Sequence, residues 1–157
     1  MREILFRGKD KYKGSWVKGF YYIKRSRYAG DKTFISEKHI ITTGIEETSG
    51  AYGENTEYIE CNVIPETIGQ YTGLTDKNGK KIFEGDILKV ERDFWHGENK
   101  KEREIFISVV CYDERSADFG LKGAKYMNLT MHRFKGDYQT VIGNIHDNPE
   151  LLKGGEG

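Results

Sequence analysis

One stretch constrains the fold more than any other. Ile68 to Ile87 reads IGQYTGLTDKNGKKIFEGDI, with apolar runs on either side of Thr75-Asp76-Lys77-Asn78-Gly79-Lys80. Asp-x-Asn-Gly between apolar runs is a hairpin turn: Asp bonds to the turn's own backbone, and Asn and Gly accept positive φ at low cost. It is not an EF-hand calcium loop, because glycine falls at position 4 and lysine at position 5. Glu84-Gly85-Asp86 reverses the chain again, and Ile87-Leu88-Lys89-Val90 forms the next strand.

The rest of the chain continues in the same β idiom. Ile4-Leu5-Phe6 is a short apolar run, and Trp16 to Lys24 (WVKGFYYIK) is rich in aromatic and β-branched residues. Thr33-Phe34-Ile35, His39 to Thr43, Glu57 to Ile64 and Tyr138 to Ile145 are further strands. Ile105 to Tyr112 (IFISVVCY) is almost continuously apolar, which predicts a strand buried on both faces. Glu46 to Asn55, Arg92 to Arg103 and Asp113 to Lys125 read as loops. Asn148-Pro149-Glu150-Leu151-Leu152 reads as one helical turn with Asn as N-cap and Pro first.

Closely spaced short strands predict a mostly β fold. The C-terminal part is expected to be a small SH3-like barrel, preceded by extra N-terminal strands and followed by the short helical turn. The chain is read as one domain over 1–152, with an N-terminal β part at about 1–64, a barrel-like part at about 65–146 and a flexible tail at 153–157. The two ends are expected to meet, with Ile4 to Phe6 near the last strand. At 157 residues the chain is long enough to bury a core without staples.

Several functional classes are excluded or disfavoured. No segment approaches the roughly 18 apolar residues of a membrane span, and Met1 to Gly14 lacks a signal-peptide core, so a cytoplasmic location and no membrane partner are expected. Cys61 and Cys111 are expected to be free thiols. His39, His96, His132 and His146 show no metal-ligand spacing, and Cys111 with His132 lacks any local nucleophile motif. No catalytic residue, metal or cofactor is expected, and the chain is read as a non-enzyme.

Charge is balanced in total but not along the chain. Residues 1–32 carry ten basic and three acidic side chains, while 33–71 carry one Lys against seven Glu. Two patches stand out. In Tyr21-Tyr22-Ile23-Lys24-Arg25-Ser26-Arg27-Tyr28, the residues Tyr21, Tyr22, Lys24, Arg25, Arg27 and Tyr28 form a candidate nucleic-acid patch: rings stack bases and cations neutralise phosphates. The same string also reads as one strand with a buried face. Phe94-Trp95-His96 within Glu91 to Glu104 is a candidate interface loop, since rings in a charged loop cover the core, join subunits or meet a partner.

Three strings together resemble the YopX family of bacteriophage and prophage proteins: Met1-Arg2-Glu3-Ile4-Leu5-Phe6-Arg7, the Ile68 to Ile87 stretch, and Val141-Ile142-Gly143-Asn144-Ile145-His146-Asp147-Asn148-Pro149-Glu150-Leu151-Leu152. The resemblance implies a small phage- or prophage-encoded protein of the bacterial cytoplasm that self-associates. It carries no established activity and no catalytic residues to transfer. Gly69, Gly73, Gly79, Gly85, Gly143 and Pro149 look like backbone positions of the family's turns. The expected function is therefore an oligomeric interaction module whose partners are its own copies or a host or phage protein, with nucleic-acid binding as the alternative.

Overall fold

A computed structural model describes residues 3–27, 35–50, 53–96, 100–123, 129–130 and 138–153; for 35, 45–50, 53–57, 94–96, 100–102 and 129–130 it describes the backbone alone. The strands are β1 (Phe6–Lys9), β2 (Trp16–Arg27), β3 (Ile35–Gly50), β4 (Gly53–Asn62), β5 (Gly69–Thr75), β6 (Lys81–Phe83), β7 (Asp86–His96), β8 (Lys100–Asp113), β9 (Asp118–Lys122), β10 (Leu129–Thr130) and β11 (Gln139–Asn144). Single 3-10 turns occupy Pro65–Thr67 and Pro149–Leu152. All described pairings are antiparallel, in two sheets ordered β4-β3-β2-β1-β5-β6 and β10-β9-β8-β7-β11. The chain forms two compact units, 1–70 and 71–157.

In unit 1 the alternation of WVKGFYYIK sets which side chains go inside. Val17 and Tyr21 join Phe6 and Ile68 around a small core of Ile41, Cys61 and Val63. Gly19 interrupts the strand for a steric reason: a Cβ there would sit 1.8 Å from the Thr42 carbonyl oxygen on the neighbouring strand. The turn after β1 is closed by Asp10, whose Oδ1 accepts the backbone N–H groups of Tyr12 and Lys13, each at 2.8 Å. Those two donors lower the Asp10 carboxyl below its ordinary value.

In unit 2 the Asp76 turn is tied to the far end of the chain. Asp76 Oδ1 accepts from the N–H groups of Asn78 (2.8 Å) and Lys80 (2.9 Å), and Gly79 takes the positive φ of +80° that the turn demands. Its other oxygen accepts from Val141 N–H on β11 at 3.1 Å. Asp86 closes the following bend by accepting from Phe83 N–H at 2.8 Å. The core gathers Ile82, Leu88, Val90, Val110, Phe119 and Leu121, with Leu74, Phe106 and Val141 packed on it.

The mostly β expectation holds; several finer expectations do not. No closed SH3-like barrel forms among the described residues. The C-terminal sheet is open, ending at β10 on one side and β11 on the other. Local turn signals specify hairpins, and hairpins alone do not require closure. Among the described residues β1 pairs with β2 and β5, and β11 pairs with β7. β8 is not buried on both faces, since Ser108 and Val110 are buried while Ile105 and Tyr112 are exposed.

The three expected loops are strand-bearing. Glu46 to Asn55 lies in the β3–β4 hairpin, Arg92 to Arg103 in the β7–β8 hairpin, and Asp118–Lys122 is β9. The first two stretches escaped the apolar-alternation test because their sequences are polar and charged, and β9 because Asp118 to Lys122 is short and contains Gly120. Cross-strand polar pairs such as Asp93–Arg103, at 3.2 Å, hold the register instead. The C-terminal turn is present with Pro149 first, but Asn148 makes no side-chain cap bond.

Candidate functional site

The candidate patch on β2 is divided by the pleat of its strand. Successive side chains point to opposite faces, and residues directly opposite across a ladder share a face. The register pairs Phe20 with Thr42, Tyr22 with Ile40 and Lys24 with Lys38; on the other face it pairs Tyr21 with Ile41, Ile23 with His39 and Arg25 with Glu37. Tyr22 and Lys24 therefore share one face, and Tyr21, Arg25 and Arg27 the other. Tyr28 lies outside the described residues.

Tyr21 faces the core. Its ring packs on Phe6 at 5.4 Å, and its hydroxyl meets His39 Nδ1 at 2.7 Å. His39 Nε2 stands 3.5 Å from Glu37, and the Arg25 guanidinium pairs with the same carboxylate at 2.9 Å. A tyrosine, a histidine and a carboxylate in line have the look of a proton relay. Burial, with the nearby Glu37 charge, pushes the Tyr21 hydroxyl up, however, so this oxygen keeps its proton and is a poor nucleophile.

On the opposite face Glu60 of β4 is the hub. Tyr22 donates its hydroxyl to one Glu60 oxygen, and Lys24 Nζ lies 2.9 Å from the other. The two hydrogen bonds, from Tyr22 and then Lys24, hold Glu60 below its ordinary value, and the same bonds raise both partners. The uneven charge of the sequence is thus partly neutralised within the sheet: basic β2 lies beside β3, with Glu37, and Lys24 reaches Glu60 on β4.

The face that carries Tyr22 and Lys24 also presents rings the contiguous string does not contain. Phe20 is 70% exposed and Tyr58 is 64% exposed. Phe20 was within reach of sequence reasoning, because Trp16, Lys18, Phe20, Tyr22 and Lys24 recur at a spacing of two. Tyr58 joins them through the β3–β4 pairing; the sequence places it in the strand Glu57 to Ile64 but does not reveal that strand's partner.

Phe94, Trp95 and His96 lie in β7 rather than in a loop, opposite Glu102, Lys101 and Lys100 of β8. The ladder to β11 stops at Val90, and that to β9 begins at Val109. Among the described residues, then, Glu91 to His96 and Lys100 to Ile105 pair only with each other, as a two-stranded arm.

Both cysteines are free. Cys61 is buried, and burial pushes the half-buried Cys111 thiol up, away from reactivity. Among the described residues no three His, Cys, Asp or Glu side chains cluster as a metal site would require. No helix among them is long and apolar enough to cross a membrane.

Two open antiparallel sheets, structural carboxylates at the turns and exposed aromatic strand faces define an all-β protein organised around surfaces. The chain belongs to the YopX family: the family's model, described as YopX protein, matches residues 5–153. It is similar over 97% of its length to the crystal structure of protein EF1440 from Enterococcus faecalis, covering 99% of that chain at 25% identity with a TM-score of 0.56. No curated protein matches it.

Proposed function

We propose that this protein is a non-catalytic interaction module of phage or prophage type, cytoplasmic, that self-associates through the β7–β8 arm. The arm carries the reading. A two-stranded ribbon is marginal in water unless a third strand or another surface supports it. Here ten consecutive residue pairs, Ile87–Val109 to His96–Lys100, run well past the strands that flank the ribbon's base. Phe94 and Trp95 lie in the part that no third strand flanks among the described residues.

A second copy is the occupant that fits best. The register sets Arg92 opposite Glu104 and Asp93 opposite Arg103, so the arm carries both signs and meets its own copy without net repulsion. The test is solution mass by light scattering for the full chain and for Phe94→Ser/Trp95→Ser. The expected result is a defined oligomer for the parent and a lower mass for the variant, with unchanged far-UV circular dichroism. A monomeric parent, or an oligomer indifferent to both substitutions, overturns the reading.

A further inference from the structure

The outer face of β2, β3 and β4 is a second surface, built from residues the arm does not use. On β2 it presents Lys18, Phe20, Tyr22 and Lys24; on β3, Lys38 and Thr42; on β4, Tyr58 and Glu60. Phe20 lies opposite Thr42, and Thr42 opposite Glu60, with Tyr58 two residues further along the same face of β4. The two most exposed rings therefore flank β3 from either side, two strand spacings across and two residues along, or about 12 Å apart. Lys24 and Lys38 are cross-strand neighbours at one end of the face. Among the residues of these strands whose side chains are described, Glu60 is the one carboxylate on it; by register Glu47 and Glu54 fall on the same face further along the β3–β4 ladder.

Like charges directly opposite each other destabilise a sheet, so Lys24 facing Lys38 calls for a counter-charge. Glu60 meets Lys24 within the molecule, but both side chains are substantially exposed, so this pair is weak and readily exchanged. Protein-binding faces are depleted in lysine at their centres. Rings interleaved with lysines on an antiparallel sheet suit another ligand: exposed aromatics stack on unpaired bases, and ammonium groups follow the phosphates.

We infer that this face binds single-stranded nucleic acid, with Phe20 and Tyr58 stacking on bases and Lys18, Lys24 and Lys38 neutralising phosphates. The string from Tyr21 to Tyr28 does not present a single face: Tyr22 and Lys24 belong to this one, while Tyr21 packs inward and Arg25 pairs with Glu37 on the opposite face. Duplexes bind less well, because their bases are already stacked. Recognition is of single strands as a class and tolerates sequence, since every base offers a π-face.

The test uses the full chain with labelled oligo-dT, oligo-U and a DNA duplex across a salt series. Three phosphate contacts give a slope of log K against log salt of about −2, at roughly −0.7 per contact for single strands. Phe20→Ala and Tyr58→Ala are each expected to weaken oligo-dT binding about tenfold, the low end of what one stacked base contributes. Phe20→Tyr keeps the ring and the affinity. Lys24→Gln and Lys38→Gln are each expected to flatten the slope by about 0.7. Phe20 and Tyr58 are exposed, so these variants keep the parent's circular dichroism.

Absence of binding at low salt overturns the inference. So does duplex binding as tight as oligo-dT, or single-strand binding indifferent to both ring substitutions. A fall in solution mass for Phe20→Ala without any nucleic-acid binding would assign the face to a second copy instead. The Phe94→Ser/Trp95→Ser experiment concerns another surface, so either proposal can fail alone.

Discussion

Asp76 in unit 2 and Glu60 in unit 1 are carboxylates held below their ordinary pKa by different means. Burial pushes Asp76 up, and three backbone donors, from Val141, Lys80 and Asn78, more than reverse it. Glu60 is exposed and is lowered by two side chains, Tyr22 and Lys24. Backbone donors are fixed by the fold, so Asp76 reports on whether the turn and β11 are joined. Side-chain donors swing away at little cost, so Glu60 reports on what else approaches the sheet face. The family-like string Ile68 to Ile87 surrounds Asp76, and the candidate nucleic-acid surface carries Glu60.

The largest expected effect is steric. Gly19→Ala places a methyl against the Thr42 carbonyl, 1.8 Å away, and has to push β2 from β3. A loss of about 4 kcal/mol is expected, at the upper end for one substitution. Denaturant unfolding should show it in unit 1, and oligo-dT binding should fall with it. A mild effect would mean that this pair of strands yields and that unit 1 is the softer frame.

Asp76→Ala removes the shared acceptor of three partly buried hydrogen bonds, from Asn78, Lys80 and Val141, and is expected to cost about 2 kcal/mol, read as a lower denaturant midpoint. The pH dependence sharpens the point. A carboxyl whose folded pKa lies below its unfolded value of about 3.9 stabilises fully above that value and progressively less as pH falls through the folded pKa. The parent's midpoint should therefore drop on acidification toward pH 3 more steeply than that of Asp76→Asn. Parallel curves would show that Asp76 does not hold the turn to β11.

Gly79→Ala tests the same turn more gently. Its φ of +80° suits glycine and costs any L-residue about 1 kcal/mol. No neighbouring atom lies within 4 Å of the added Cβ, so the whole loss is conformational. The smallest stability effect belongs to Glu60→Gln, which is expected to leave the denaturant midpoint unchanged. If the sheet face meets phosphates, the same change should tighten oligo-dT binding, because Lys24 loses its carboxylate partner and is freed. A shifted midpoint would move Glu60 from the surface into the frame and dissolve the contrast with Asp76.

Local chemistry was legible in the sequence because its causes are local. Asp76 to Gly79 specifies a turn from four adjacent residues, and Pro149 opens a helical turn by its own ring. WVKGFYYIK announces a strand from its composition, and its spacing of two already places Phe20 beside Tyr22 and Lys24. The three strings around these features sufficed to point to the family. What stayed hidden depends on partners far along the chain. The second oxygen of Asp76 finds Val141, 65 positions away. Tyr58 joins Phe20 only because β3 lies between β2 and β4, a strand order that no local pattern in Glu57 to Ile64 reveals. As a string the patch on β2 is continuous; at a spacing of two it already divides between two faces. Pairing with β3 turned Tyr21 and Arg25 one way and Tyr22 and Lys24 the other. The register of a sheet is decided by which apolar side chains can be buried together, a property of the packed strands and not of any one of them.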